Sequence, residues 1–339
     1  MNIISKIEVR NFRSHGKYLL ELKNPTTLII GENGSGKTSL IEALYISLRG
    51  KSFRSSDSHI VKDGTNSYKI TTVFTDHQKR TVEYINGQKT FKCDDKKYLR
   101  LPTKLKYPVT LFEPADLNLV HSSPNSRRRF LDTLISQLDE TYHTYLIKYE
   151  KALKQRNKLL GLPGVRSDDI FAWNVILADI GSKINTKRAQ IVNSINTQIN
   201  DIYKSIASNN DQVGIRYSGQ VLSETDYLKD LDASLSRDIA LGYTSVGPHR
   251  EDLEFIFNGK PAISTASRGE IRSIILSLKF IEASLVKEYL GHEPIIMLDD
   301  IFSELDSIRQ LRLVNNFKNH QVIITSVDAP RNMQEDVRL

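Results

Sequence analysis

The stretch Gly31-Glu32-Asn33-Gly34-Ser35-Gly36-Lys37-Thr38 decides how the rest of the chain is read. It satisfies the pattern GxxxxGK[ST]. The apolar run Thr27-Leu28-Ile29-Ile30 before it reads as a short buried strand, and Leu40, Leu44 and Leu48 after it recur on one helical face. Strand, glycine-rich loop, helix is the context in which this pattern builds a phosphate site. The glycines let successive backbone N–H groups turn inward around a phosphate, and the helix N-terminus adds about half a positive charge. Gly31 to Thr38 are therefore candidate nucleotide contacts. Lys37 is placed to reach the β- and γ-phosphates of ATP, a catalytic role, and the Thr38 hydroxyl to coordinate Mg²⁺.

The 339 residues suit about two domains and a sizeable core. With 26% charged and 39% hydrophobic residues, the composition is that of a folded globular protein. No apolar run approaches ~18 residues, which argues against a helical membrane span, and Lys6, Glu8 and Arg10 argue against a signal peptide. The single cysteine, Cys93, excludes an intrachain disulfide and a Cys-rich zinc site, and the eight histidines are scattered. A cytoplasmic setting without a membrane partner is expected. Forty-seven basic against 40 acidic residues, net charge +7, fit either a polyanionic partner or a plain lysine-rich surface.

Along the chain, strands are expected at 3–9, 69–75, 80–85, 89–92 and 107–112, with Asn86-Gly87 turning a hairpin. Helical periodicity runs from about Pro124 to Leu160, breaks at Gly161-Leu162-Pro163-Gly164, and resumes from about Asp168 to Ser205, which implies an antiparallel helical pair. A third helix is expected over 224–239, capped by Ser223 and Asp226. Strand character returns at 243–246 and 253–257, a helix at 267–289, an apolar strand at 294–298, a helix at 306–318 and a strand at 321–325. The expected division is an N-terminal head part, 1–123, a helical arm, 124–240, and a C-terminal head part, 241–339.

The strand Ile295-Ile296-Met297-Leu298 ends in Asp299-Asp300. In a phosphate-loop protein the first carboxylate at such a strand end holds Mg²⁺ and the next residue faces the attacking water, so Asp299 is assigned to metal and Asp300 to catalysis. Ser267-Arg268-Gly269-Glu270 opens a helix about thirty residues earlier; Ser267, Gly269 and Glu270 read either as a plain N-cap or as a second anion site. Arg127, Arg128 and Arg129 stand at a helix start, where cations oppose the helix dipole; a partner anion or a solvated or salt-bridged turn would each explain them, and they are the candidate contacts should that anion be DNA. The basic stretch 92–106 offers the same two readings.

Ser-x-Gly, then Asp-Asp, then Ser303-Glu304-Leu305-Asp306 follows the order signature, Walker B, D-loop of ABC-type ATPases. With Asn11-Phe12-Arg13-Ser14, Arg127-Arg128-Arg129-Phe130-Leu131-Asp132, Gly247-Pro248-His249-Arg250 and the run Leu298 to Asp306, the chain resembles the RecF family nearly end to end. The resemblance implies an α/β fold: an ABC-type, SMC-like ATPase head with mixed sheets plus an inserted helical arm. It implies an ATP-dependent homodimer in which each ATP lies between one chain's Gly31–Thr38 and the other's Ser267–Glu270. It implies weak DNA-dependent ATPase activity, binding to duplex, gapped or junction DNA, and action with RecO and RecR in loading RecA. Arg268 stands where the general ABC signature has glycine, and Ser326 where transporter-type ATPases have histidine. A transporter ATPase subunit would carry a signature closer to Leu-Ser-Gly-Gly-Gln. A nuclease sharing this head would need more than the 33 residues after Asp306. An ATP-gated DNA clamp with negligible turnover would use the same residues as the main reading.

Overall fold

Alternation of apolar and polar side chains sets the first part of the chain into strands. The computed structural model, which describes residues 3–328 and 337–339, forms β1 (Ile4–Phe12), β2 (His15–Glu21), β3 (Thr26–Ile30), α1 (Lys37–Arg49), β4 (Ser67–Phe74), β5 (Lys79–Ile85), β6 (Gln88–Cys93), β7 (Lys96–Tyr98) and β8 (Val109–Phe112). Antiparallel pairing gives a six-stranded sheet in the order β2-β1-β4-β5-β6-β7. On β4, Tyr68, Ile70, Thr72 and Phe74 are buried while Ser67, Lys69, Thr71 and Val73 lie on the other face. Asn86 and Gly87 both take left-handed backbone angles (φ 49° and 88°), the conformation a two-residue hairpin needs.

The chain continues through α2 (Pro124–Leu138), α3 (Glu140–Leu160), α4 (Ser167–Asn196), α5 (Ile199–Ala207), β9 (Val213–Tyr217), α6 (Glu224–Ala233), α7 (Leu235–Leu241), β10 (Leu253–Phe257), β11 (Lys260–Pro261), α8 (Ala262–Thr265) and α9 (Arg268–Leu290). It ends with β12 (Ile295–Asp299), α10 (Ser307–Asn316), β13 (Val322–Ser326) and β14 (Val337–Arg338). Two compact units result, one of residues 1–117 with 282–339, the other of residues 118–281. The division expected at 240/241 differs from this one, because β9 and β10 pair in a sheet of order β11-β10-β9 and keep the segment after α7 with the helices.

Several elements depart from the periodicity. The helix expected over 124–160 is two helices: Asp139 turns out of helical geometry (φ −138°, ψ 112°) and its side chain accepts the Thr141 N–H, capping α3. The helix expected over 168–205 breaks at Thr197-Gln198, and the one over 224–239 breaks at Ser234. Residues 243–246 are not a strand. The Thr244 N–H donates to Asn157 Oδ1 (2.8 Å) and the Ser245 N–H to Asp238 Oδ1 (3.0 Å), so side chains take the bonds a sheet would have supplied. The antiparallel helical pair is present: Arg156 bonds Asn174 and Arg188 bonds Tyr142, two contacts symmetric about the Gly161–Gly164 turn.

In the first unit α1 packs Leu40, Ile41, Leu44 and Leu48, all fully buried, into a core shared with Ile4, Ile7, Val9, Ile70 and Val82. Each such side chain contributes on the order of 1.5–3 kcal/mol by leaving water, and this anchors the helix whose first residues carry the phosphate loop.

Candidate nucleotide site

β14, β3, β13, β12 and β8 form, in that order, a parallel sheet, so their carboxyl ends lie on one side. Ligands of parallel α/β sheets bind beyond those ends. β3 runs into Gly31, β12 ends in Asp299-Asp300, and β13 lies between them.

The loop is held from both sides. The buried Gly31 donates its N–H to the Ser326 carbonyl (3.3 Å), while Glu32, Asn33 and Gly34 are exposed. Gly36 is left-handed (φ 98°), a conformation strained for any residue with a side chain, and a Cβ there would stand 2.4 Å from His15 Nε2. His15 Nε2 itself lies 3.1 Å from the Gly36 carbonyl. Lys37 is buried, its Nζ donating to the carbonyls of Gly31 (2.7 Å) and Glu32 (3.0 Å). Ser35 Oγ is buried without a hydrogen-bond partner among the described residues.

Thr38 Oγ1 donates to Asp299 Oδ1 at 2.9 Å, joining two motifs 261 positions apart. Thr325 Oγ1 donates to the same oxygen at 2.8 Å. Burial raises the Asp299 carboxyl above its ordinary value, opposed by the hydrogen bonds from Thr325 and Thr38 and by the charge of Arg54. Asp300 takes a left-handed backbone (φ 54°), costly for a non-glycine residue and concentrated at functional sites. Its N–H donates to Thr325 Oγ1 (3.0 Å), and its Oδ1 is buried without a partner among the described residues. Leaving such an atom unsatisfied costs about 1–3 kcal/mol unless a ligand completes it.

Among the described residues no group of three or more His, Cys, Asp or Glu could hold a metal. Thr38 with Asp299 instead forms an all-oxygen pair, which fits Mg²⁺, a hard cation that takes one or two protein oxygens and completes its shell with phosphates and water.

Thr325 and Arg54 escape sequence reading: each acts on Asp299, and neither lies in a motif. A threonine closing the apolar run Val322-Ile323-Ile324 was the available signal. Arg13 turns out to be architectural. Its fork grips the fully buried Glu42 of α1 (2.9 Å from each nitrogen), tying the β1–β2 hairpin to the phosphate-loop helix.

Ser267, Gly269 and Glu270 lie in the other unit, at the start of α9. The Ser267 N–H donates to Glu270 Oε2 (2.6 Å) and the Glu270 N–H to Ser267 Oγ (3.4 Å), a reciprocal capping box. Asp306 caps α10 by accepting the Arg309 N–H (3.0 Å). Of the three arginines, Arg127 forks onto Asp252 (Nε–Oδ1 2.9 Å) and Arg128 donates to the Glu251 carbonyl (2.6 Å), so both have partners within the unit; Arg129 is exposed.

The family model for an AAA ATPase domain matches residues 1–172. The chain is 35% identical over 334 residues to the DNA replication and repair protein RecF of Agathobacter rectalis, covering 95% of this chain and 91% of that protein. It is 32% identical over 349 residues to RecF of Clostridioides difficile, covering 96% and 92%. The chain belongs to the RecF family. A solved structure of the recombination mediator protein RecF with ATP, in the RecFOR pathway, superposes with TM-score 0.88 at 28% identity over 99% of this chain and 94% of that one. An Smc head, at 15% identity and TM-score 0.56, shares the fold. The fold is thus the ABC-type, SMC-like ATPase head with mixed sheets and helices that the motifs implied. Among the described residues no helix is long and apolar enough to cross a membrane.

Proposed function

We propose that the protein is an ATP-dependent switch of recombinational repair. It binds ATP with Mg²⁺, dimerises on it, engages duplex or gapped DNA, and acts with RecO and RecR to load RecA, in a cytoplasmic setting. The observation that carries the reading is the Thr38–Asp299 contact beside the unpartnered Asp300 Oδ1. Relatives named for DNA replication and repair, and a relative's ATP complex in the RecFOR pathway, support it.

In this reading backbone N–H groups of Gly31–Thr38 cradle the phosphates, and Lys37 leaves the carbonyls of Gly31 and Glu32 for the β- and γ-phosphates. Thr38 and Asp299 hold Mg²⁺, which neutralises phosphate charge when bound. Asp300 accepts a hydrogen bond from the attacking water and orients it, the role its unpartnered oxygen fits. Ser267, Gly269 and Glu270 of a second copy close over the γ-phosphate, which requires the Glu270 carboxylate to release the Ser267 N–H. Arg129 remains the member of its triplet open to DNA.

Steady-state ATP hydrolysis with and without gapped duplex DNA tests this, with Lys37→Ala as control. DNA-stimulated turnover, absent from the control, is expected. Turnover indifferent to DNA would overturn the reading. No turnover, but DNA binding that requires ATP, would convert it to an ATP-gated clamp.

A further inference from the structure

The uncovered face of the six-stranded antiparallel sheet carries a charge pattern that the fold itself does not call for. Side chains alternate across a strand, so register states which residues share a face. Lys6, Glu8 and Arg10 of β1 lie opposite the core-facing Ile7 and Val9. Cross-strand pairing sets beside them Lys17 and Glu21 of β2, Lys69 of β4 and, further along, Glu83 of β5. Lys92 of β6 and Lys97 of β7 complete the face at its far end. With Lys79 of β5, which lies opposite Val73, seven cations thus share one face with three carboxylates.

Three of the cross-strand neighbours are like-charged: Arg10 with Lys17, Arg10 with Lys69, and Lys92 with Lys97. Like charges directly opposite one another destabilise a sheet. Lysines on edge strands guard against edge-to-edge pairing, which accounts for Lys17 on β2 and Lys97 on β7. It does not account for Arg10 and Lys69, on strands with neighbours on both sides. Arg10 is paired with Glu8 (2.7 Å), Lys69 with Glu83 (2.6 Å), and Lys92 stands 3.9 Å from Asp95. Lys6, Lys17 and Lys97 have no carboxylate within ion-pair distance among the described residues; Lys17 and Lys6 act on Glu8 only through space.

We infer that this face is a docking surface for the phosphate backbone of duplex DNA. Six strands spaced about 4.8 Å apart extend the basic face over roughly 24 Å, the axial length of about seven base pairs. That suits an extended polyanion rather than a single phosphate group. The face presents no aromatic ring outward: its apolar members are Leu19, Val73 and Ile85. Binding by base stacking on a single strand therefore has no platform, and the duplex backbone is the partner. The inference rests on the DNA-binding part of the proposed function and adds the surface to it.

The test is fluorescence anisotropy with a short mixed-sequence duplex, titrated with salt in the presence of ATP and Mg²⁺. Wild type is compared with the triple variant Lys17→Gln/Lys69→Gln/Lys97→Gln. Each lost phosphate contact lowers the slope of log K against log salt by about 0.9. The expected result is a slope smaller by about 2–3, affinity at least about tenfold weaker at low salt, unchanged nucleotide affinity, and a melting temperature no lower than that of wild type, since the like-charged pairs are gone. Wild-type slope and affinity in the triple variant would overturn the assignment of this face while leaving DNA binding intact. Failure of wild type to bind the duplex would overturn the underlying reading and this inference together. Binding of wild type to phosphatidylserine vesicles but not to duplex would overturn it in favour of a membrane surface.

Discussion

Both units bury charge, and they do so to opposite ends. At the phosphate loop, Ser35 Oγ and Asp300 Oδ1 are buried without partners among the described residues, and Lys37 is satisfied only by backbone carbonyls. In the helical unit, the wholly buried Arg156 donates to Asn174 (2.7 Å), Asp238 (2.7 Å) and Thr244 (2.8 Å), leaving only its Nη2 over. Arg188 in turn grips Asp132 with two nitrogens (2.9 Å each) and donates to the Pro248 carbonyl (2.7 Å). Tyr149 bonds both Tyr227 (3.0 Å) and His249 (2.9 Å), beneath a Gly247 whose Cβ would fall 1.8 Å from the Tyr227 hydroxyl. A cluster of buried polar groups is therefore not in itself a site. The helical cluster meets most of its own hydrogen-bonding needs and so holds the fold, whereas Asp300 Oδ1 at the strand end is left open to a ligand.

The contrast is broken most severely at Arg156. Replacing it with alanine strands Asp238 in the interior and is expected to cost about 3–5 kcal/mol in denaturant unfolding. Lys37→Ala is expected to leave the unfolding midpoint nearly unchanged while abolishing nucleotide binding. If Arg156→Ala melted like wild type, the reading of the network as architecture would fail.

A smaller effect concerns pH. Burial pushes His249 down to about 4, whereas an unfolded histidine titrates near 6.5. The folded state thus favours the neutral ring, and its contribution is fully present above pH 6.5. It is lost as pH falls from about 6.5 toward 4, by on the order of 2–3 kcal/mol. The neighbouring Glu251, raised by burial, contributes with the opposite sign, so the measurement is the difference between wild type and His249→Gln. Parallel stability–pH curves would contradict the assignment.

The smallest effect, about 1 kcal/mol, is expected for Ser267→Ala, which removes one half of the capping box. This substitution sharpens the comparison, because ATP-dependent association should fall by more than the loss in stability explains. A fall in stability alone would make Ser267 a cap and nothing further.

What was legible in the sequence was chemistry that is contiguous. The phosphate loop, the Asp299-Asp300 strand end and the Asn86-Gly87 hairpin each carry their reason within a few residues. Thr325 and Arg54 were not legible, because their relation to Asp299 depends on pairing between β12 and β13 and on the course of a loop. The unit boundary was missed for the same reason: β9 meets β10 across 36 to 44 residues. Apolar periodicity runs through Asp139 and hides the cap that splits the helix there. The arginine run is conspicuous in the sequence, yet the partner of Arg127, Asp252, lies 125 positions away.

The central claim is that ATP joins two copies through the site built on Lys37, Thr38, Asp299 and Asp300. Sedimentation velocity of Asp300→Asn with saturating ATP and Mg²⁺ tests it most directly, with Lys37→Ala alongside. A dimer is expected for Asp300→Asn, trapped because hydrolysis is blocked, and a monomer for Lys37→Ala. A monomeric Asp300→Asn that still binds ATP would contradict it.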